Sequence, residues 1–435
     1  MNLSRNQIII VGAGLLIVLV VVLGILGIIP IFQSGGQSNG DPDYPTGKVK
    51  LVIWGVQDTS ASFDTAFQAY KAAYKNVEFQ YIKFDSPEKY QETLLNALAE
   101  RKGPDIFMVH SSWVYENWGK LKAAPAKIVT TQTVAQLYPE VVSKDFVLSG
   151  NVFSLPLYLD SLALIYNKDI FNVKALVSPP ANWDETVGDV LKIRELDESK
   201  KISLAALALG TSQNINNAPE LLTLLMLQSG SFINPKDGSG VFFDANAQKA
   251  LDFYLQFSDP INPYYTWNEG LDDSLSVFAS GKVAMVIDFF GSLAKIKEKN
   301  PFLNFGTATL PQLKGALSYQ QANVADYWGL AVSAQSLNPY AAWHFVRYLT
   351  TNSTAYSQYL QTAGHLPALK SLISQGLGGD NDAFLRGFLI AKTWQKTNYE
   401  KIGEILRRTI TDILSGKIQR RQALKAAEGE INALY

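Results

Sequence analysis

Residues 155–167, LPLYLDSLALIYN, decide how the rest of the chain is read. Leu, Tyr, Ile and Ala dominate the run, which reads as a strand buried on both sides, yet Asp160 stands near its middle. A carboxylate inside an apolar strand is costly unless it is paired or reaches water. Asp160 therefore marks either a structural ion pair or a place where a buried strand meets a cleft.

Working outward, the same alternation appears on both sides. Residues 48–56, KVKLVIWGV, form an apolar strand, and Phe63, Phe67, Tyr70 and Tyr74 then recur at helical spacing. Residues 77–84, VEFQYIKF, alternate as a second strand, and the Asp85-Ser86-Pro87-Glu88 cap opens a helix that Gly103 ends. Residues 104–109, PDIFMV, give a third strand. After LPLYLDSLALIYN, Asn182 and Asp244 cap further helices, a helix spans 218–228, and 283–287, 305–310 and 328–332 read as short buried strands. From Asp382 the chain is expected to be helical to its end, with a break at Gly416. Strands alternating with helices imply right-handed crossovers and mostly parallel sheets, and 435 residues favour two lobes over one core.

Composition narrows the function classes. A net charge of −1 gives no support for nucleic-acid binding, which requires a basic surface. The absence of cysteine rules out disulfides, thiolate catalysis, Cys-ligated zinc and a thioether-linked lipid anchor. His110, His344 and His365 are widely separated and make no metal-ligand pattern, so no cofactor or metal is expected. There is no nucleophile elbow and no phosphate-binding loop.

Residues 8–29, IIIVGAGLLIVLVVVLGILGII, carry no charge and would span about 33 Å as a helix. The run exceeds the apolar core of an ordinary signal peptide, and PIFQ after it offers no small-residue cleavage site. The expectation is an uncleaved anchor over 8–32 crossing the lipid bilayer once, with 1–7 cytoplasmic, because Arg5 lies before it and Asp41 and Asp43 after it. Residues 33–47, rich in Gly, Ser, Pro and Asp, read as a flexible linker. Function is then carried by residues 48–435 on the extracytoplasmic side of a prokaryotic cell membrane.

Several segments together resemble the family 1 extracellular solute-binding proteins of ABC importers, the maltose-binding-protein-like carbohydrate type. They are KLVIWGV, GPDIFMVHSSWV, LPLYLDSLALIYNKDIF, PPANWDETVGDVLK, SGKVAMVIDFFGSLAKIKEKNP, NFGTATLP, YWGLAVSAQSLNPYAAWHFVRYLT, TAGHLPALKS and ILSGKIQRRQALKAAEGEIN, in family order across nearly all of 48–435. The resemblance implies an α/β, two-lobed periplasmic-binding-protein-like fold of type II, with a hinge between lobes, here preceded by the transmembrane helix. It places crossings near 157–162, 305–311 and 364–367, an N-terminal lobe at 48–157 and 312–363, and a C-terminal lobe at 158–304 and 368–435. It implies a binding protein, not an enzyme, whose partners are a small-molecule solute and ABC permease subunits.

Carried over residue by residue, the resemblance places Asp160, with Tyr158, on the cleft floor, where maltose-binding protein has a glutamate. Asp58, in Gln57-Asp58-Thr59, and Ser111 and Trp113, beside His110, match loops that reach the ligand. For Asp58 the structural alternative is a helix cap, for Trp113 plain packing, and for His110 a satisfied loop histidine. In the second lobe, Asn214 and Asn216 lie in TSQNINN, where a solvated loop is the alternative. Asp288, Phe289 and Phe290 fall where the family has a turn with a stacking aromatic, one Phe being core and the other a platform. Tyr327 and Trp328 form a further aromatic pair. One departure is that the aromatic on the family's C-terminal helix falls on Gly403 here.

Aromatic faces flanked by carboxylates and amides suit a sugar or oligosaccharide. The same set would suit a polyamine or another cation. An anchored glycoside hydrolase using Asp58 and Asp160, and a subunit presenting ligand to a membrane sensor, stand as the other readings.

Overall fold

A computed structural model describes residues 43–234, 240–394 and 397–435. The proposed anchor at 8–32 and most of the linker lie outside the described residues, and among the described residues no helix is long and apolar enough to cross a membrane. The last residues of the linker depart from expectation. Tyr44 packs on Tyr74 at 4.5 Å between ring centroids, Tyr70 donates to the Tyr44 hydroxyl, and Asn76 donates to the Pro45 carbonyl. An aromatic side chain had a surface to bury after all, so the chain is docked on the body from Asp43 onward, where Lys127 pairs with Asp43.

The strands, in chain order, are β1 (Val49–Val56), β2 (Val77–Phe84), β3 (Ile106–His110), β4 (Val147–Leu148), β5 (Asn151–Val152), β6 (Leu155–Pro156), β7 (Asp160–Asn167), β8 (Glu195–Leu196), β9 (Ile202–Leu207), β10 (Val283–Phe289), β11 (Phe305–Ala308), β12 (Asn323–Asp326), β13 (Trp328–Val332) and β14 (Ala391–Lys392). They build two main sheets. The first has the order β2-β1-β3-β13-β6, and the second has the order β14-β12-β7-β10-β9-β8 with β11 also against β7. The β4–β5 hairpin stands apart.

In the first sheet β1, β2 and β3 are parallel, joined by the helices Asp64–Ala73 and Pro87–Ala99. The second of these starts where Ser86 accepts the Lys89 N–H and Pro87 occupies the first turn. β13 then runs antiparallel to both β3 and β6. In the second sheet β7 is antiparallel to β10, β11 and β12. The sheets are therefore mixed rather than mostly parallel, because strands that pass directly between sheets return against their neighbours without a helical crossover.

Residues 155–167 are not one strand. β6 ends at Pro156 in the first sheet and β7 begins at Asp160 in the second, so Asp160 opens a strand instead of interrupting one. The chain returns to the first sheet at Tyr327, between β12 and β13, and not at 305–311: β11 stays in the second sheet, paired with β7 from Asn167 to Leu164. Residues 312–322 accordingly lie with the second sheet, where Gln312 bonds to Ala181 and Ala322. A third passage follows Gly364, which ends the helix Ser353–Ala363 in a left-handed conformation, φ 72°.

The three passages are laced together. The Leu157 N–H donates to the Trp328 carbonyl at 2.9 Å, Leu159 bridges Leu366, and Ala325 and Asp326 pair with Ser161 and Asp160. Beyond the third passage Ala368, Ile373, Phe384 and Phe388 still join the first apolar core. The C-terminal region is not continuously helical: β14, which pairs with β12, lies between the helices Asp382–Leu389 and Tyr399–Leu414, and the expected break at Gly416 separates the latter from Arg420–Asn432.

The helix Asp382–Leu389 rests directly on β7. A β-carbon at Gly387 would stand 2.3 Å from Ser161 Oγ and 2.4 Å from Asn323 Nδ2, two atoms held by their own bonds to Phe384 O and Leu162 O. Gly387→Ala is expected to destabilise the protein by about 1–3 kcal/mol in denaturant titration, as overpacking does. Gly403→Ala, where nothing lies within 4 Å, should stabilise slightly.

Candidate functional site

The ends of β3, β7, β12 and β1 converge where the two sheets meet. β1 closes in a tight turn: the Asp58 N–H donates to the Val56 carbonyl at 2.8 Å while Gln57 takes φ 66°, a left-handed conformation uncommon for a residue with a side chain. This turns Asp58 inward instead of making it a helix cap. Its carboxylate accepts the Tyr359 hydroxyl at 2.6 Å and faces His365 Nε2 at 3.0 Å. Thr59, at the start of the short helix Ser60–Ser62, makes no side-chain cap.

His365 stacks face to face on Tyr158, with ring centroids 3.7 Å apart. Tyr158 sits on the first passage, 9% exposed, and feels the charges of Asp58, Asp326 and Asp160. Burial first, then those carboxylates, push its hydroxyl well above the usual phenol range.

Asp160 is held by backbone. Oδ1 accepts the Ser161 and Phe290 N–H groups at 2.7 and 2.8 Å, and Oδ2 accepts the Gly291 N–H at 3.2 Å. Burial pushes its carboxyl up to about 8, against the lowering effect of the N–H groups from Phe290 and Gly291. Across the register stands Asp326, whose Oδ1 lies 2.5 Å from His110 Nε2, while His110 Nδ1 meets the Ser112 hydroxyl at 2.6 Å.

On the first-sheet side Trp113 and Trp328 meet edge to face at 4.9 Å, with the His110 ring 5.2 Å from Trp328. The His110 ring also lies 5.5 Å from that of Tyr399, on the helix Tyr399–Leu414 that packs with the second core. The two walls of the cleft thus touch. Tyr399 donates to Glu220 at 2.6 Å, and burial raises the carboxyl of Glu220.

Asp58, Ser111, Trp113, Tyr158, Asp160 and Trp328 therefore stand near one another where the two sheets meet. Four of them carry hydrogen-bonding groups without a partner among the described residues: the Ser111 and Tyr158 hydroxyls and the indole N–H groups of Trp113 and Trp328, on side chains 5 to 9% exposed. None of these four atoms is among the solvent-inaccessible unpartnered atoms of the described residues, so each reaches water in the empty protein and is open to a partner from outside the chain.

Other expectations are corrected. Asn214 spends its amide internally, accepting from Thr211 and Trp267 and donating to the Asn268 and Leu271 carbonyls. Tyr327 is fully buried and donates to Asp145 at 2.7 Å; its side chain points into the first core because alternate residues of a crossing strand face opposite ways. Asn216 is exposed and offers its carbonyl to Arg407. Asp288 is buried and accepts from Asn217, Ser292 and the Phe289 N–H, which shapes the turn that presents Phe290 and Gly291 to Asp160. Phe290 packs on the first core beside Phe384, and Phe289 packs on the second.

Sequence reasoning missed Asp326, Glu220, His365 and Tyr399. Tyr399 had a readable signal: it stands four residues before Gly403, hence on the same helical face, and supplies an aromatic one turn away from the family's position. Among the described residues no cluster of three or more His, Cys, Asp or Glu forms a metal site.

A family model described as bacterial extracellular solute-binding protein matches residues 54–356, and the chain belongs to that family. The maltotriose-binding protein of Pyrococcus abyssi is 23% identical over 350 residues, covering 79% of this chain and 71% of that protein. Among solved structures, the sugar-binding protein MalE from Xanthomonas citri matches with a TM-score of 0.74 at 18% identity, covering 88% of this chain and 97% of the other. The cyclic alpha-maltosyl-1,6-maltose binding protein from Arthrobacter globiformis matches with a TM-score of 0.73 at 20% identity, covering 89% and 99%. These likenesses establish the two-lobed α/β periplasmic-binding-protein-like fold.

The raised carboxyl of Asp160 carries a pH dependence. Its folded value, about 8, lies above the ordinary 3.8, so its stabilising contribution is complete below about pH 4 and is lost as pH rises toward 8. The melting temperature of the ligand-free protein should fall across that window by an increment that Asp160→Asn removes.

Proposed function

We propose that this protein is the solute-capturing component of an ABC importer, which binds a sugar or oligosaccharide in the cleft and delivers it to permease subunits. The observation that carries the reading is the set of unpartnered groups at Ser111, Trp113, Tyr158 and Trp328, arranged beside carboxylates and flat aromatic faces. A sugar ring packs its C–H face on such rings, donates hydroxyls to carboxylates and accepts from indole N–H groups. The names of similar proteins support the same ligand class, since maltotriose and other glucose-based oligosaccharides are what they are described as binding.

The apolar run at 8–32 would hold the body at the outer face of the membrane, close to the permease, and the docking of Tyr44 on Tyr74 and Tyr70 leaves only a short tether between them. Asp58 and Asp160 are both occupied by groups of the protein itself, which favours holding a ligand over acid–base attack on one.

Isothermal titration with maltodextrins and other neutral and modified oligosaccharides tests the reading. Tyr158→Phe removes a hydroxyl that has no hydrogen-bond partner among the described residues. It should leave the empty protein's stability within about 0.5 kcal/mol while weakening ligand binding by about 2- to 10-fold. Unchanged affinity would place the hydroxyl outside the binding site. Crosslinking of the full chain in membranes should recover ABC permease subunits; recovery of a sensor kinase in their place would refute delivery to a permease.

A further inference from the structure

The cleft asks for two kinds of partner at once. Trp113 and Trp328 present indole N–H groups, which donate only and require acceptor oxygens. The floor, in contrast, concentrates negative charge: the Tyr158 hydroxyl, on a residue 9% exposed and without a hydrogen-bond partner among the described residues, lies within the field of Asp58, Asp160 and Asp326. Among the described residues Asp160 is held by three backbone N–H groups, with no lysine, arginine or histidine among its partners there. Asp58 has His365, Asp326 has His110, and Glu220, within reach of Arg407, accepts from Tyr399.

Near neutral pH the Asp160 carboxyl, raised by burial, favours its neutral form, which a sugar hydroxyl meets without altering it. An ammonium group pairs with the ionised form and offsets the cost of burying that charge. The carboxyl of Asp160, already pushed up to about 8 by burial, is one that a cation would most readily hold ionised. The stacked rings of Tyr158 and His365 add a face on which a cation can rest. A simple polyamine answers the carboxylates but offers no acceptor to the two indoles. Asp160 pairs with Asp326, and Trp328 lies two residues further along the same segment, about 7 Å away at strand rise, within the span of a short oligosaccharide.

We propose that the solute is a saccharide bearing a protonated amine, with its ammonium seated against the Asp160 carboxylate beside the Tyr158 hydroxyl and its hydroxyl oxygens accepting from Trp113 and Trp328. The proposal rests on the carbohydrate reading above and narrows it to a chemical class.

Calorimetric titration of the detergent-solubilised full chain near neutral pH decides it. The probes are a glucosamine tetramer, the same tetramer fully N-acetylated, maltotetraose and spermidine. The free-amine tetramer should bind at least about tenfold more tightly than its N-acetylated form, the margin expected of a charge-assisted hydrogen bond. Asp160→Asn, checked for folding by circular dichroism, should shrink that ratio to about threefold or less. The comparison of acetylated and free-amine probes on the parent protein stands by itself should the variant not fold. A neutral glycan that binds as well as the free amine overturns the amine while leaving the carbohydrate reading intact. Spermidine binding with every glycan silent, or no binding by any probe, overturns both.

Discussion

The pairing of the three passages between the sheets is the constraint from which the rest of the structure follows. Leu157 bonds to Trp328, Leu159 to Leu366, and the start of β7 to the end of β12. Each backbone group in a buried crossing must find a partner, and here the crossings satisfy one another. That common strip is narrow and is flanked by separate apolar cores, so it is also the place where two rigid bodies can bend relative to each other. Asp160 and Asp326 stand opposite one another at its edge, which is why two carboxyl groups meet where the sheets join.

Asp160 is a part of this machinery as well as a ligand candidate. By accepting the N–H groups of Phe290 and Gly291 it fixes the turn after β10, and Asp288 fixes the same turn from the buried side. The backbone N–H groups of Phe290 and Gly291 favour the ionised carboxyl of Asp160, but burial outweighs them and pushes its value up to about 8. The two lobes meet through rings, with His110 of β3 against Tyr399 from the opposite wall. The cleft is thus lined by groups whose own hydrogen bonds hold them still, with a few donors and hydroxyls left over.

Much of the fold was legible. The caps at Ser86, Asn182 and Asp244 each accept the backbone N–H groups that their spacing implied, and the helices they open run where the apolar periodicity ran. The family was legible from ordered motifs. The candidate site was legible only in part: Asp58, Asp160, Ser111, Trp113, Tyr158 and Trp328 lie near the junction of the two sheets. The side chains of Tyr327 and Asn214 are engaged elsewhere, because strand phase turned one into the core and a neighbouring loop claimed the amide of the other. Asp326 belongs to no motif that singled it out, and His365 lay in a segment read only as a crossing.

The sequence by itself determined the alternation of strands and helices, the absence of cysteine, and a carboxylate placed within an apolar run. Those properties are local, set by side-chain periodicity, capping and composition. Only the tertiary structure decided that LPLYLDSLALIYN splits between two sheets, that the return passes at Tyr327, and that the charges of Asp58, Asp160 and Asp326 all act on one tyrosine hydroxyl. Residues more than 250 positions apart in sequence, such as Asp58 and His365, meet there. Their meeting depends on the register of paired crossings, and register is a property of the folded assembly of strands that no single segment carries.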